Sequence, residues 1–344
     1  MTKKRALITG ISGQDGAYLA QFLIKKGYEV VGGERQNASG SLWRLEELGI
    51  DRAVKVIPFE LLEENNINEV IKNGKFNEIY NLAAQSFVGS SYATPIFTTN
   101  VNALGVTRIL EAVKNYSRKT RFYQASTSEM YGNSVSKIQN ENTNFQPTSP
   151  YAISKLYAHW MVNLYREAYN IFCCSGILFN HESPLRGREF VTKKIISDLA
   201  RVKFNLIPHV KLGNIYAKRD WGYSKDYVGA MWKMMQQKKP DDYVISSGST
   251  NTVKSFVNKA ARHFDLDLIW TGRGLNEKAM DKNTKKVIVK IDKKYFRPTE
   301  VNFLFGDASK AKKTLKWSPK TNINELIKKM CDYELKKFKQ INKI

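Results

Sequence analysis

The chain is poor in the residues that build metal and disulfide sites. Its three cysteines are Cys173, Cys174 and the remote Cys331. That is neither a disulfide framework nor a metal-ligand spacing, and it reads as a protein of the reducing cytosol. The four histidines are scattered, so no metal is expected. No apolar run reaches the roughly 18 residues that a membrane-spanning helix needs. The first ten residues, Met1 to Gly10, have a short basic tip. They lack the apolar stretch and small-residue cleavage site of a secretory leader. Acidic residues are also under-represented: 32 Asp and Glu face 55 Lys and Arg, for a formal net charge of +23.

What is present supports a large folded unit. At 344 residues, 42% hydrophobic and 12% aromatic, the chain can build a sizeable core, which excludes global disorder. Residues 1–150 carry 17 basic and 14 acidic side chains, and residues 151–344 carry 38 and 18. The excess therefore sits in the second half. Nucleic-acid binding, an anionic small substrate and a lysine-rich compositional bias all produce such an excess. The abundance of Lys, Asn and Ile favours the bias. No basic stripe interleaved with aromatics and no nucleic-acid module is evident, so neither nucleic acid nor membrane is an expected partner.

Strand and helix patterns alternate from the start. Arg5–Thr9 reads as a strand, Gly10–Gly16 as a turn, and Ala17 to Lys25 as a helix stopped by Gly27. Tyr28–Gly32, Val54–Ile57, Glu78–Leu82 and Thr120–Ala125 read as further strands, and Val101–Asn115 as a helix. This alternation predicts an α/β fold with a doubly wound parallel sheet and a smaller, interleaved substrate domain. Residues 1–178 form the dinucleotide-binding part, with returns near 212–245. Residues 179–211 and 246–344 form the other part. Past residue 180 regularity weakens: 203–216 and 270–295 read as polar and irregular. Lys282–Lys294, which alternates lysine with Val and Ile, reads as an exposed strand beside a surface loop. The tail from Asn324 to Lys343 is amphipathic, with Leu326, Ile327, Met330, Leu335 and Phe338 near one face.

Gly10, Gly13 and Gly16 follow a strand and open a helix. Glycine there permits a tight turn and a close approach of backbone to a pyrophosphate at the helix N-terminus. The spacing of three and three differs from the commoner two and three. It resembles the extended branch of the short-chain dehydrogenase/reductase superfamily. An acid at the end of the second strand takes the adenosine 2′-hydroxyl of NAD, whereas an arginine takes the 2′-phosphate of NADP. Arg35, with Asn37 and Ser39 as polar helpers, points to NADP. The adjacent Glu34 leaves NAD open.

Tyr151 and Lys155 stand four apart, on one face if helical. A nearby ammonium and a nicotinamide cation lower the tyrosine pKa and make a phenolate base available. An exposed i,i+4 pair is the blander reading. Ser126-Thr127-Ser128-Glu129 follows a strand end, where open α/β sheets carry their active sites. A carboxylate beside a redox tyrosine is unnecessary for simple hydride transfer. It suits removal of a carbon-bound proton next to a carbonyl, followed by expulsion of a hydroxyl, which is dehydration. A helix-start carboxylate complementing the dipole explains Glu129 equally well when taken alone.

Together these segments resemble the GDP-mannose 4,6-dehydratase family over nearly the whole chain. The likeness rests on residues 7–16, 80–88, 121–132, 149–157, 176–184, 190–195, 217–222, 225–228 and 295–301. It implies a lyase of nucleotide-sugar metabolism that makes GDP-4-keto-6-deoxymannose, a precursor of deoxysugars, from GDP-mannose by internal redox through tightly bound NADP. In that scheme Tyr151 takes the 4-hydroxyl proton while NADP takes hydride from C4. Lys155 orients the ribose, Thr127 holds the 4-oxygen, and Glu129 removes the C5 proton before hydride returns to C6. The resemblance further implies cofactor contacts from Gly10, Gly13, Gln14, Asp15, Gly16, Arg35, Glu60, Leu61, Leu82, Ala83, Ala84, His181 and Arg186. It implies substrate contacts from Ser86, Asn180, Val191, Lys194, Gly213, Arg219, Arg297 and Glu300. Arg219 and Arg297 also read as ordinary surface ion-pair groups.

The chain departs from the family pattern at four places. Arg35-Gln36 and Leu185-Arg186 stand where the family often carries paired arginines. Those segments reach a neighbouring subunit's cofactor in the family's tetramer, so a homodimer or a homotetramer is expected here. Tyr216 stands where an aspartate is common, and Glu60-Leu61 where an Asp-Leu pair is common. A 4-reductase or epimerase on the same scaffold is the rival reading, and Glu129 argues against it.

Overall fold

The structure, a computed structural model, describes residues 3–36 and 42–342. Asn37 and Ser39, the two polar helpers of Arg35, lie outside the described residues.

Seven parallel strands form the central sheet. In chain order they begin with β1 (Arg5–Thr9), β2 (Glu29–Glu34), β3 (Val54–Pro58), β4 (Glu78–Asn81), β5 (Arg121–Thr127) and β6 (Cys173–Leu178), and Tyr243–Ile245 completes the sheet. Their spatial order is Tyr243–Ile245, β6, β5, β4, β1, β2, β3. The direction of winding therefore reverses between β1 and β4, and a crevice opens there beyond the strands' C-terminal ends. Each expected strand of the first half is present. Both faces of the sheet are covered: Ala6 and Ile8 of β1 belong to one apolar cluster, and Leu7 between them to another. That two-sided burial explains why β1 reads as a continuous apolar run.

The helix α1 (Gln14–Lys25) follows the glycine turn and ends before Gly27, whose φ of 83° is left-handed. The expected helix over 101–115 begins one turn later, at Gly105, because Asn100–Leu104 winds as a π-turn. Asn102 at its centre accepts from the Gln85 amide at 2.8 Å and donates to Ser154 Oγ at 3.2 Å, which fastens this bulge to the helix carrying Tyr151.

A third cluster runs from Ile195 to Cys331, and a smaller fourth gathers Met130, Tyr131, Ile177, Phe179, Val244, Val301 and Leu304. The third lies under a four-stranded sheet ordered Leu268–Thr271, Lys278–Asp281, Val287–Ile291, Val210–Leu212. This corrects the reading of 270–295 as irregular and of Lys282–Lys294 as exposed. Val287–Ile291 is an interior strand with Ile288 and Val289 buried, while Lys290 faces solvent. Its pairing with Lys278–Asp281 is irregular at Ala279/Met280, and the adjacent Ile288 and Val289 are both buried. The terminal helix Ile323–Asn342 buries Leu326, Ile327 and Met330, as its pattern predicts. Ala311, Leu315 and Trp317, late in the chain, pack instead with the cluster against α1 and the central sheet.

Candidate active site

The crevice at the winding reversal begins with the glycine turn. Gly10 has φ 68°, and a Cβ there would lie 2.9 Å from the backbone of Ala83, just past β4. A Cβ on Gly16 would lie 2.3 Å from the Gly10 carbonyl. Neither position has room for a side chain. Among the described residues no side chain caps the start of α1, so its first-turn N–H groups stand ready for an anion. These features fit a dinucleotide pyrophosphate. The turn hangs on β2, since the Gly10 amide donates to Gly33 at 2.9 Å and the Ser12 amide donates to Glu34 Oε2 at 3.1 Å. Below it, Thr9 Oγ1 donates to Asn81 Oδ1 at 2.6 Å and accepts from the amides of Leu82 and Ala83. Asn81 in turn donates to Gln124 Oε1 at 2.8 Å. This buried chain sets the ends of β1, β4 and β5 against one another and holds the 82–84 loop. Nothing in local spacing marks it.

Gln14, Asp15 and His181 meet at the start of α1 as one fastening. Gln14 donates to the His181 carbonyl at 2.9 Å and accepts from Ser183 Oγ at 2.7 Å. Asp15 pairs with His181 Nε2 at 2.7 Å and accepts from Ser224 Oγ at 2.6 Å. The imidazole stacks on Tyr227, ring centres 4.7 Å apart. Burial works against both charges, yet each holds the other: His181 is raised above its ordinary value and Asp15 is lowered. Arg44, outside the expected set, donates to the carbonyls of Leu185 and Ser12 and ties the same segment to the turn. Arg186 pairs with Glu182 at 3.2 Å and lies over the Phe190 ring. Glu60 and Leu61 follow β3. Glu60 caps its own turn at Leu62, and Leu61 is buried beneath Gly105. Arg35 lies exposed one residue beyond β2, with no side-chain partner among the described residues.

Thr127, Glu129, Tyr151 and Lys155 come together at the C-terminal end of β5. Thr127 Oγ1 accepts the Glu129 amide at 3.2 Å and starts the turn Ser128–Tyr131. Ser149 caps the helix Pro150–Tyr169 through the Ala152 amide at 3.1 Å, which directs Tyr151 and Lys155 inward together. All four side chains are buried. Burial pushes the Tyr151 phenol up to about 12; a hydrogen bond with Thr127 opposes the rise and the Glu129 carboxylate adds to it. Burial brings the Lys155 ammonium down to about 8. Lys155 Nζ donates to the Ala125 carbonyl at 2.9 Å and lies 6.0 Å from the Tyr151 ring centre. The lowering of the tyrosine pKa expected from Lys155 is thus not met by the chain's own groups, because desolvation outweighs them.

A cleft of about 510 Å³ adjoins this cluster, lined by Glu129, Asn180, Val191, Lys194, Gly213, Arg219, Arg297 and Glu300 among others. Ser86 is exposed just outside its wall, next to the lining Phe87. The Glu129 carboxylate has no hydrogen-bond partner among the described residues. Arg219 pairs with Glu300 at 3.3 Å; burial pulls its guanidinium below the usual range while Glu129 and Glu300 oppose this. Arg219 is buried, so the surface ion-pair reading fails for it. Lys194 is held by Asp198 at 3.0 Å and the Lys211 carbonyl at 2.6 Å, over the Tyr295 ring. Asn180 Oδ1 is buried with no partner among the described residues. A Cβ on Gly213 would lie 2.4 Å from the Tyr295 carbonyl, which closes the far wall. Glu182, Phe190, Trp221 and Tyr295 also line the cleft, although the sequence singles none of them out. All four do fall within the segments that carry the family likeness.

The glycine turn, the Tyr151–Lys155 pair and the cleft beyond β5 define an extended short-chain dehydrogenase/reductase. The family model described as GDP-mannose 4,6 dehydratase matches residues 7–330. The GDP-mannose 4,6 dehydratase of Drosophila melanogaster is 47% identical over 342 residues, covering 96% of this chain and 87% of that protein. The human protein of the same name is 46% identical over 340 residues, covering 96% and 91%. This chain belongs to the GDP-mannose 4,6-dehydratase family. Its fold is shared with the dTDP-glucose 4,6-dehydratase of Bacillus anthracis solved in complex with NAD, at TM-score 0.81 and 19% identity, covering 98% of each chain.

Proposed function

We propose that the chain converts GDP-mannose to GDP-4-keto-6-deoxymannose and water, with the sugar nucleotide in the cleft and a nicotinamide dinucleotide across the glycine turn. The names of the fly and human relatives support the substrate. The observation that carries dehydration over simple redox is the Glu129 carboxylate. It is buried in the same cleft as Asn180 and Arg219, acts on Tyr151 and has no hydrogen-bond partner among the described residues. It is therefore available to a substrate.

When bound, the dinucleotide supplies reversible hydride acceptance, so that no external reductant is consumed. The chain's residues move the protons. Thr127 holds the sugar 4-oxygen and Tyr151 takes the 4-hydroxyl proton as C4 is oxidised. The new ketone acidifies C5. Glu129 removes the C5 proton and delivers it to the 6-hydroxyl, whose bond to carbon breaks to release water. As C6 is reduced, C5 regains a proton from solvent, so the net change is the loss of one water. Lys155, set on the Ala125 carbonyl, orients the dinucleotide ribose. Arg219, Arg297 and Lys194 hold the diphosphate. Asn180, Val191, Gly213 and Glu300 receive the guanosine half.

In this reading residues 1–178, with the returns near 212–245, build the dinucleotide half, and 179–211 with 246–344 build the sugar-nucleotide half, to whose cleft Gly213 and Arg219 of the return also contribute. Arg35 speaks for NADP and Glu34 for NAD. A homo-oligomer fits the outer face of the Tyr151 helix, where Ile153, Tyr157, Trp160 and Leu164 are exposed at helical spacing. Three free, buried thiols suit the cytoplasm. Among the described residues no helix is long and apolar enough to cross a membrane.

The test is incubation with GDP-mannose and a catalytic amount of oxidised dinucleotide, followed by mass spectrometry. Loss of one water without net reduction is expected. Recovery of the sugar nucleotide at unchanged mass would contradict dehydration.

A further inference from the structure

Glu34 is the last residue of β2, and its backbone is held on both sides. It pairs with Pro58 of β3, and its carbonyl accepts the Phe59 amide at 2.9 Å. Its carboxylate turns into the glycine turn, where Oε2 accepts the Ser12 amide at 3.1 Å. Oε1 has no hydrogen-bond partner among the described residues. The side chain is half-buried, whereas Arg35 and Gln36 project into solvent beyond the strand end. The anion is therefore anchored beside the pyrophosphate cradle, and the neighbouring cation is not.

A dinucleotide laid across this crevice brings its adenosine ribose to the end of the second strand. A ribose 2′-hydroxyl there has a hydrogen to donate to a carboxylate oxygen. A 2′-phosphate brings two negative charges and no such donor, next to a carboxylate fixed by backbone. Like charges so placed disfavour each other strongly, and one solvated guanidinium compensates only in part. We propose that this chain selects NAD over NADP, with Glu34 as the selecting residue through the adenosine ribose hydroxyl. The proposal rests on the dinucleotide reading above and sets aside NADP as implied by Arg35 and by the family resemblance.

The test is binding, not turnover. The full-length purified protein is denatured and any released dinucleotide identified by mass spectrometry. The protein is then titrated calorimetrically with NAD and with NADP, without sugar nucleotide. Wild type is expected to bind NAD about tenfold or more tighter. Glu34→Gln keeps the shape and removes the charge, and should shrink that ratio several-fold. Arg35→Ala removes the partial compensation for a 2′-phosphate and should widen the ratio; a narrower ratio would count against the proposal. Tighter binding of NADP by wild type, or a ratio that Glu34→Gln does not move, would overturn the proposal. Binding of neither would overturn both it and the dinucleotide reading. Discrimination between dinucleotides with no dehydration of GDP-mannose would overturn the substrate reading alone.

Discussion

The ammonium of Lys155 donates to the backbone carbonyl of Ala125, 2.9 Å away, at the end of the strand that leads to Thr127 and Glu129. The lysine of the pair is thus anchored to the sheet. Tyr151, one turn earlier on the same helix, is held protonated by burial. The phenol becomes a base only when positive charge arrives with a bound molecule.

The titration of Tyr151 follows from that arrangement. Without dinucleotide, its phenol should stay protonated to about pH 12, where burial places it. Ultraviolet titration of wild type against Tyr151→Phe measures this group alone. The difference spectrum should show no phenolate between pH 6 and pH 10, a range on the order of the ordinary tyrosine limit. Adding the oxidised dinucleotide should shift the onset down.

The Asp15–His181 pair carries a pH-dependent share of stability. His181 is raised, so its contribution is full below its unfolded value of 6.5 and is lost as pH rises through its higher folded value. Asp15 is lowered, so its contribution is full above its unfolded value of 3.8 and is lost as pH falls through its lower folded value. The pair therefore contributes most between those two unfolded values. His181→Gln should cost roughly 3 kcal/mol in that window and clearly less in alkaline buffer. Thermal unfolding of both proteins at several pH values checks the difference.

Gly16 is the tightest position in the turn. Gly16→Ala would drive a methyl group against the Gly10 carbonyl, 2.3 Å from an ideal Cβ. The turn must open, at a cost of about 1–3 kcal/mol in stability. Calorimetric titration should show dinucleotide affinity falling by more than the stability loss accounts for. Gly229, with open space around it, is the control position.

Local rules made parts of this molecule readable in advance. The glycine turn, the Tyr151–Lys155 spacing and the strand that ends at Glu129 each lie within a few residues, and each depends on backbone geometry that residue type controls. Long-range partners were not readable. Asp15 and His181 are separated by 166 positions, Gln14 and Ser183 by 169. Only the folded sheet makes them neighbours. The burial of Val287–Ile291 is not legible locally, because the lysines around it outnumber the two residues, Ile288 and Val289, that distant parts of the chain cover. The upward push of burial on Tyr151 cannot be read from a charge four residues away. The choice between Glu34 and Arg35 needed the Ser12 amide to show which side chain is held.

Glu129 bears the central claim, and Glu129→Gln tests it most directly. The substitution keeps size and hydrogen-bonding shape and removes the base. The variant and wild type are incubated with GDP-mannose in deuterium oxide and followed by mass spectrometry. Wild type should lose one water and carry solvent deuterium at C5. The variant should still bind GDP-mannose, while water loss falls by about 10²–10⁴-fold, as for loss of a positioned proton-transfer group. Water loss at the wild-type rate in the variant would contradict the account.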